Sequence, residues 1–274
     1  MNSKVKSFLL WFFAIIFTAF IAIYQRMTGP TYPISSKIEI DHQVINYKLI
    51  RTYDGNDDAI ISIPVPDTSI TGEYRFMRIR SKDNWTEVPM KRAGNELIAS
   101  IPHQPIAGKV IYQITLIKGG HKYLLNDKPA VIRYKGSIPL WILILHILLI
   151  FSAMLFSTRT GLEVLFRGKY TWAYSWVTLI TLVLGGLVLG PIVQKYSFNV
   201  YWSGWPFGQD LTDNKSLVAF IFWVIAIIAQ YRNREKKTWS LIAAIVLLVV
   251  FLIPHSVLGS EYDFTKEKKM EIHK

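Results

Sequence analysis

The chain has 274 residues, 51% of them apolar and 14% aromatic, and no cysteine. Such a composition excludes a disordered chain, disulfides, thiolate nucleophiles and cysteine-bound metal or iron–sulfur sites. The formal charge of +12 at pH 7 does not point to a nucleic-acid partner. The lysines and arginines form no single basic face, and many flank apolar segments, where they act as orientation signals.

Residues 1–7 carry Lys4 and Lys6 ahead of a first apolar run, Phe8–Tyr24. Basic-then-apolar also describes a cleaved signal peptide, but this run exceeds the roughly 7–15 residues of a signal core and lacks a small-x-small cleavage site. A retained anchor over 8–24 is expected. Gly29-Pro30-Thr31-Tyr32-Pro33 then reads as a stiff linker.

From 35 to 135 the pattern changes to short runs alternating with period two, as in Tyr74-Arg75-Phe76 into Ile79 and in Val110–Leu116. Alternation of this kind predicts half-buried strands. Turn chemistry separates them at Asp54-Gly55-Asn56, Thr71-Gly72, Ala93-Gly94-Asn95 and Gly119-Gly120. Strands with turns at this spacing predict a β-sandwich. Without cysteine it must be held by its own apolar core.

One stretch of this module carries a family resemblance. Trp85-Thr86-Glu87-Val88-Pro89-Met90, Gly94, Ile98-Ala99-Ser100-Ile101-Pro102, Gln104-Pro105, Gly108 and Val110-Ile111-Tyr112 resemble fibronectin type III and related immunoglobulin-like modules. The resemblance implies consecutive antiparallel strands of a cysteine-free sandwich, and it implies no particular activity. Asp54-Gly55-Asn56-Asp57-Asp58 is read as a solvated turn, since it lacks the closing glutamate of a calcium loop. His42, His103 and His121 show no ligand spacing.

Four further apolar runs follow, Leu140–Phe156, Trp172–Val193, Leu217–Tyr231 and Trp239–Ile253, and they are expected to form a four-helix transmembrane bundle over 138–254. The last two are short for a span, and Trp239, Tyr231 and Lys215 are expected to compensate at the interfaces. Arg159, Arg167 and Lys169 fall between the second and third runs, and Arg232, Arg234, Lys236 and Lys237 between the fourth and fifth. The loop from Tyr196 to Asn214 has neither lysine nor arginine. The positive-inside rule then predicts a cytoplasmic N-terminus, with the sandwich and a C-terminal tail of 255–274 outside the inner membrane of a bacterium. The predicted fold class is therefore an α+β membrane protein: five transmembrane helices with an extracytoplasmic immunoglobulin-like sandwich between helices 1 and 2.

Gly186-x-x-x-Gly190 is expected to serve helix packing. At the outer face the topology gathers His146, placed roughly 10 Å deep at 1.5 Å per residue, with His255, Asp210, Asp213, Glu261 and Asp263. The loop between adds Trp202, Trp205 and Phe207, which can also be an aromatic belt. His146 can instead bond a neighbouring helix through Thr178 or Thr181, and Asp213 can cap the fourth helix. If any metal or haem is bound, His146 and His255 are the expected ligands. No cofactor is predicted otherwise.

No catalytic motif is present: no phosphate loop, nucleophile elbow or paired metal-binding histidines. The leading expectation is a non-enzymatic envelope protein, embedded in the bilayer, whose sandwich binds a protein partner. The alternative is a redox or ion- or proton-translocating protein using the outer-face residues.

Overall fold

The computed structural model describes residues 3–254 and 259–266. They form two compact units, a helical one from 3–30, 138–196, 200–254 and 259, and a β one from 31–137, 197–199 and 260–266. The molecule is thus α+β, with its strands between the first helix and the rest in chain order.

The helices are α1 (Ser3–Thr28), α2 (Leu140–Leu165), α3 (Thr171–Leu182), a π-helical turn (Val183–Leu189), α4 (Gly190–Phe198), α5 (Leu211–Arg232) and α6 (Thr238–Leu252). α3, the π turn and α4 run as one rod, Thr171–Phe198. Four helices are long and apolar enough to cross a membrane: α1, α2, that rod and α5. α6 is as apolar but has 15 residues.

Two helix ends differ from expectation. α2 continues past Phe156 to Leu165, so Arg159 lies in the bundle and not in a connecting loop. α5 begins at Leu211 because Asp210 caps it, accepting 2.8 Å from the Thr212 amide. That brings Asp213 and Lys215 inside the helix, and Lys215 is buried.

Ala14, Thr18, Ile21 and Gln25 of α1 are buried at helical spacing, one face against the bundle, while Phe8, Phe12, Ile16 and Phe20 are exposed. The bundle interior is lined by small residues, Ala153, Ala219, Ala226, Ala243 and Ala244, around a fully buried Trp223. Such residues let helices approach where lipid gives no hydrophobic drive to associate. Gly185 makes a close helix–helix contact, where a Cβ would meet Leu149 Cβ at 2.9 Å and the Ile150 amide nitrogen at 3.0 Å. A Cβ on Gly186 or Gly190 would meet only ordinary contacts, at 3.5 Å and 3.6 Å.

The β unit has β1 (Ile34–Ile40), β2 (Gln43–Leu49), β3 (Thr52–Tyr53), β4 (Ala59–Pro64), β5 (Thr71–Arg78), β6 (Thr86–Pro89), β7 (Lys91–Ala93), β8 (Glu96–Ile101), β9 (Lys109–Lys118), β10 (His121–Leu124) and β11 (Ala130–Tyr134). One sheet runs β3-β11-β9-β5-β6 with β10 also on β9, a second runs β4-β8-β7, and β1-β2 form a hairpin. All pairings are antiparallel except β11 with β3. Of the strands in the resembling stretch, β8 pairs in the second sheet and β9 in the first. Alternate residues of β2, β4, β5, β8, β9 and β11 meet in one apolar core.

Gly94, Gly119 and Gly120 sit at turns with positive φ. Thr71-Gly72, by contrast, opens β5 and is no turn. Gly72 lies so close to β-unit side chains that a Cβ would fall 2.7 Å from Met90 Sδ. The core tyrosines use their hydroxyls across the unit: Tyr112 donates to Ile50 O at 2.9 Å, Tyr74 to Ser100 O at 2.8 Å and Tyr134 to Pro102 O at 3.1 Å. Burial holds the phenols of Tyr112 and Tyr134 well above the ordinary tyrosine range, so they remain donors.

Candidate functional site

The predicted site residues separate into three places. Asp210 and Asp213 come together at the start of α5, through a common partner. Ser203 Oγ donates 3.2 Å to Asp210 and 3.4 Å to Asp213. Asp213 also accepts from the Ser203 amide (2.7 Å), the Gly204 amide (3.0 Å) and Gln194 Nε2 (3.1 Å). Asn214 Oδ1 accepts from the Trp205 amide at 2.6 Å. The first turn of α5 therefore acts as a socket for the 203–205 backbone. Gly204 is required there, because a Cβ would lie 2.6 Å from that of Asp213 and 2.8 Å from Asn214 Oδ1.

What this socket presents is aromatic. Trp202 folds back, its indole donating to Trp205 O at 3.1 Å. Trp205 and Phe207 point outward, 69% and 83% exposed. A loop held by carboxylates that would otherwise be buried and unpaired costs little further entropy when its aromatic tips are covered. The acids expected to face a ligand instead build the loop.

His146 is elsewhere on α2. Its Nδ1 lies 2.9 Å from Gly185 O, in the π-helical turn, where that carbonyl also accepts from Gly190 N–H. Thr178 and Thr181 are not its partners, for they bond back to Tyr174 O and Val177 O on their own helix. A backbone carbonyl has two lone pairs, so Gly185 O can serve both groups. Glu261 and Asp263 belong to the β unit. His255 lies outside the described residues. Among the described residues no three His, Asp or Glu side chains gather as a metal-holding group.

Sequence reasoning missed two buried polar sites in the helical unit. The first is Arg159, 1% exposed, ion-paired with Glu163 one turn on. Its guanidinium lies 5.4 Å from the Trp11 ring and 5.1 Å from the Tyr174 ring, an arrangement favourable for a desolvated cation. Glu163 also accepts from the Tyr170 amide at 3.0 Å. Gly168 packs against the same carboxylate so closely that a Cβ would fall 1.9 Å from it. The pair thus ties α1, α2 and α3 and folds the 166–170 connection back. Nearby on the helices, Gln230 donates to Ser175 (3.1 Å) and Ser240 (2.5 Å), joining α3, α5 and α6.

The second is the end of α6. Gln25 Nε2 donates 2.9 Å to Phe251 O, and Lys215 Nζ donates 2.7 Å to Ile253 O. Terminal carbonyls have no intrahelical donor and water is absent from lipid. Side chains of α1 and α5 supply donors, and a lysine additionally suits the negative end of the helix dipole.

In the β unit, Lys109 Nζ is paired with Glu261, and Arg80 Nε lies 3.5 Å from the same carboxylate. Burial lowers the pKa of Lys109; the Glu261 hydrogen bond opposes this, and Arg133 and Arg80 reinforce it. Asp263 is turned onto Thr265, accepting from its amide at 3.1 Å and its hydroxyl at 2.6 Å.

No family model matches the chain, and no curated protein matches it. Among solved structures, the crystal structure of a Br derivative of BhCBM56 is matched at 11% identity over 35% of this chain and 87% of that one, with a TM-score of 0.23. At that score the likeness carries no argument.

Proposed function

We propose that this protein is a non-enzymatic integral component of a bacterial inner-membrane assembly that holds a protein partner outside the cytoplasm. In this reading the β unit is an immunoglobulin-like sandwich of the fibronectin type III kind and forms the binding surface. The helices seat it in the bilayer and contribute to assembly.

Chain parity supports five crossings. Residues 31–137, between α1 and α2, and residues 260–266, just after α6, belong to the same β unit. With α1, α2, the α3–α4 rod and α5 crossing, α6 must cross as well for the chain to return to the β unit. Its 15 residues are short of the ~20 of an ordinary span, and the Gln25 and Lys215 hydrogen bonds described above compensate by satisfying its last carbonyls within the bundle. The basic residues Arg232, Arg234, Lys236 and Lys237 before α6 then favour a cytoplasmic position for that loop and for the N-terminus.

The observation that carries the interaction reading is the Trp202–Asp210 loop. Its acids are consumed in holding the backbone, and its exposed Trp205 and Phe207 are of the residue types that anchor interfaces. That assignment also weighs against the alternative of a redox or ion-translocating site, since Asp210 and Asp213 are already bonded internally and His146 is bonded to Gly185 O. Gentle isolation from native membranes tests the reading. A stoichiometric protein partner is expected, and it should be lost from the W205A/F207A variant while the fold persists. Isolation of the wild type without any partner would refute it.

A further inference from the structure

The C-terminal segment 260–266 lies on the β unit as a peptide lies on a receptor. Three contacts hold it. The Glu261 carboxylate sits on Lys109, 152 residues away in the chain, and beside Arg80. The Tyr262 amide donates 3.0 Å to Ala107 O. The buried Phe264 ring lies 4.6 Å beneath the Arg78 guanidinium and 5.0 Å from the Tyr262 ring.

The receiving surface is shaped for these contacts. Ala107 holds φ at +68°, a conformation L residues rarely adopt, and its carbonyl is the one that meets Tyr262. Gly108 leaves space for the aromatic ring, since a Cβ there would lie 3.3 Å from Phe264 Cζ, besides 2.8 Å from Pro105 O. Lys109 and Arg133 are both buried, and a buried lysine beside arginines requires a carboxylate. Asp263 closes its own turn on Thr265 and adds an electrostatic attraction to Arg80.

We propose that this groove is a receptor site for a short acidic–aromatic segment of a partner protein, with a carboxylate three positions before an aromatic ring, and that residues 260–266 occupy it in cis. The inference rests on the interaction reading above and names the kind of partner. The chain's own segment sets the affinity threshold: a competing segment binds only to the fraction of molecules whose groove is open, and its apparent affinity falls by that fraction.

The test uses the full chain in detergent and a fluorescent peptide with the sequence of residues 259–266. Expected is binding to the E261A/F264A protein about 10-fold tighter than to the wild type, abolished by adding K109M or by replacing the peptide's glutamate with glutamine. Equal binding to both proteins, no binding to the opened variant, or indifference to K109M would overturn the proposal. If the double variant loses its cooperative thermal transition, E261Q alone serves, with a gain of roughly 3-fold expected and none overturning it. A peptide that fails while a partner still co-purifies with the wild type removes this groove and leaves the interaction reading standing. A peptide that binds while no partner co-purifies does the reverse.

Discussion

The two units differ in how much charge they bury and in what surrounds it. In the β unit tyrosine hydroxyls donate to backbone carbonyls across the core, Lys109 and Arg133 are the buried cations, and other ion pairs lie at the rim, as with Lys118 between Asp41 and Asp67. In the helical unit whole charges and amides are inside: Arg159 with Glu163, Gln230 with Ser175 and Ser240, Asp213 with the 203–204 amides, Lys215 with Ile253 O. Water can compensate a broken contact at the rim of the first, whereas in the bilayer proposed for the second lipid cannot. A polar residue in the helices is therefore a demand for a particular partner, and most of those partners hold one helix end or connection in place.

Glu163→Ala should break this contrast most severely if it is to break at all. It strands a buried arginine, for which a loss of about 3–5 kcal/mol is expected. Unfolding in detergent by denaturant titration would measure it, and a loss within ordinary surface values would show that the pair is not desolvated. Next, Gly185→Ala pushes a methyl against the Leu149 side chain and the Ile150 backbone. An overpacking cost of about 1–3 kcal/mol is expected, against less than about 0.5 kcal/mol for Gly190→Ala. Equal costs at the two glycines would contradict the geometry.

Asp213→Ala removes the acceptor shared by two loop amides and Gln194, with an expected cost of about 1–3 kcal/mol. Its sharper readout is local: chymotrypsin should cut after Phe207 faster than in the wild type. The smallest effect belongs to the β rim. Ser69, through its hydroxyl and amide, and Lys118 hold Asp67 down to about 2 from its ordinary 3.8. A lowered carboxylate stabilises fully above the unfolded value and loses that contribution as pH falls through the folded one. Stability should thus decline between pH 3.8 and about 2, and Asp67→Asn should flatten that part of the profile in pH-dependent unfolding.

Much of this architecture was legible in the chain. Apolar length located the four long helices, and period-two alternation located β5 and β9. Ends were less legible, because polarity alone does not stop a helix. Ser157, Thr158, Arg159 and Thr160 looked like a connection, yet Arg159 and Glu163 stand four apart, a helical spacing that was the available signal. Asp210 and Asp213 were legible as unusual acids in a loop without basic residues, but not as its scaffold. Their partners, Gln194, Ser203 and the Gly204 and Thr212 amides, are backbone or neutral groups that leave no mark in a charge pattern. Nor could any local feature announce that Glu261 meets Lys109, since that contact depends on how the whole chain returns.

The interaction reading meets its most direct test at Phe207. A photoreactive phenylalanine analogue placed there in the native host should yield one discrete protein adduct on irradiation. The same analogue at Val249, an exposed residue of α6, should yield none of it, and Trp205→Ala should weaken it. Lipid adducts alone at position 207 would make the loop a membrane anchor and contradict the account.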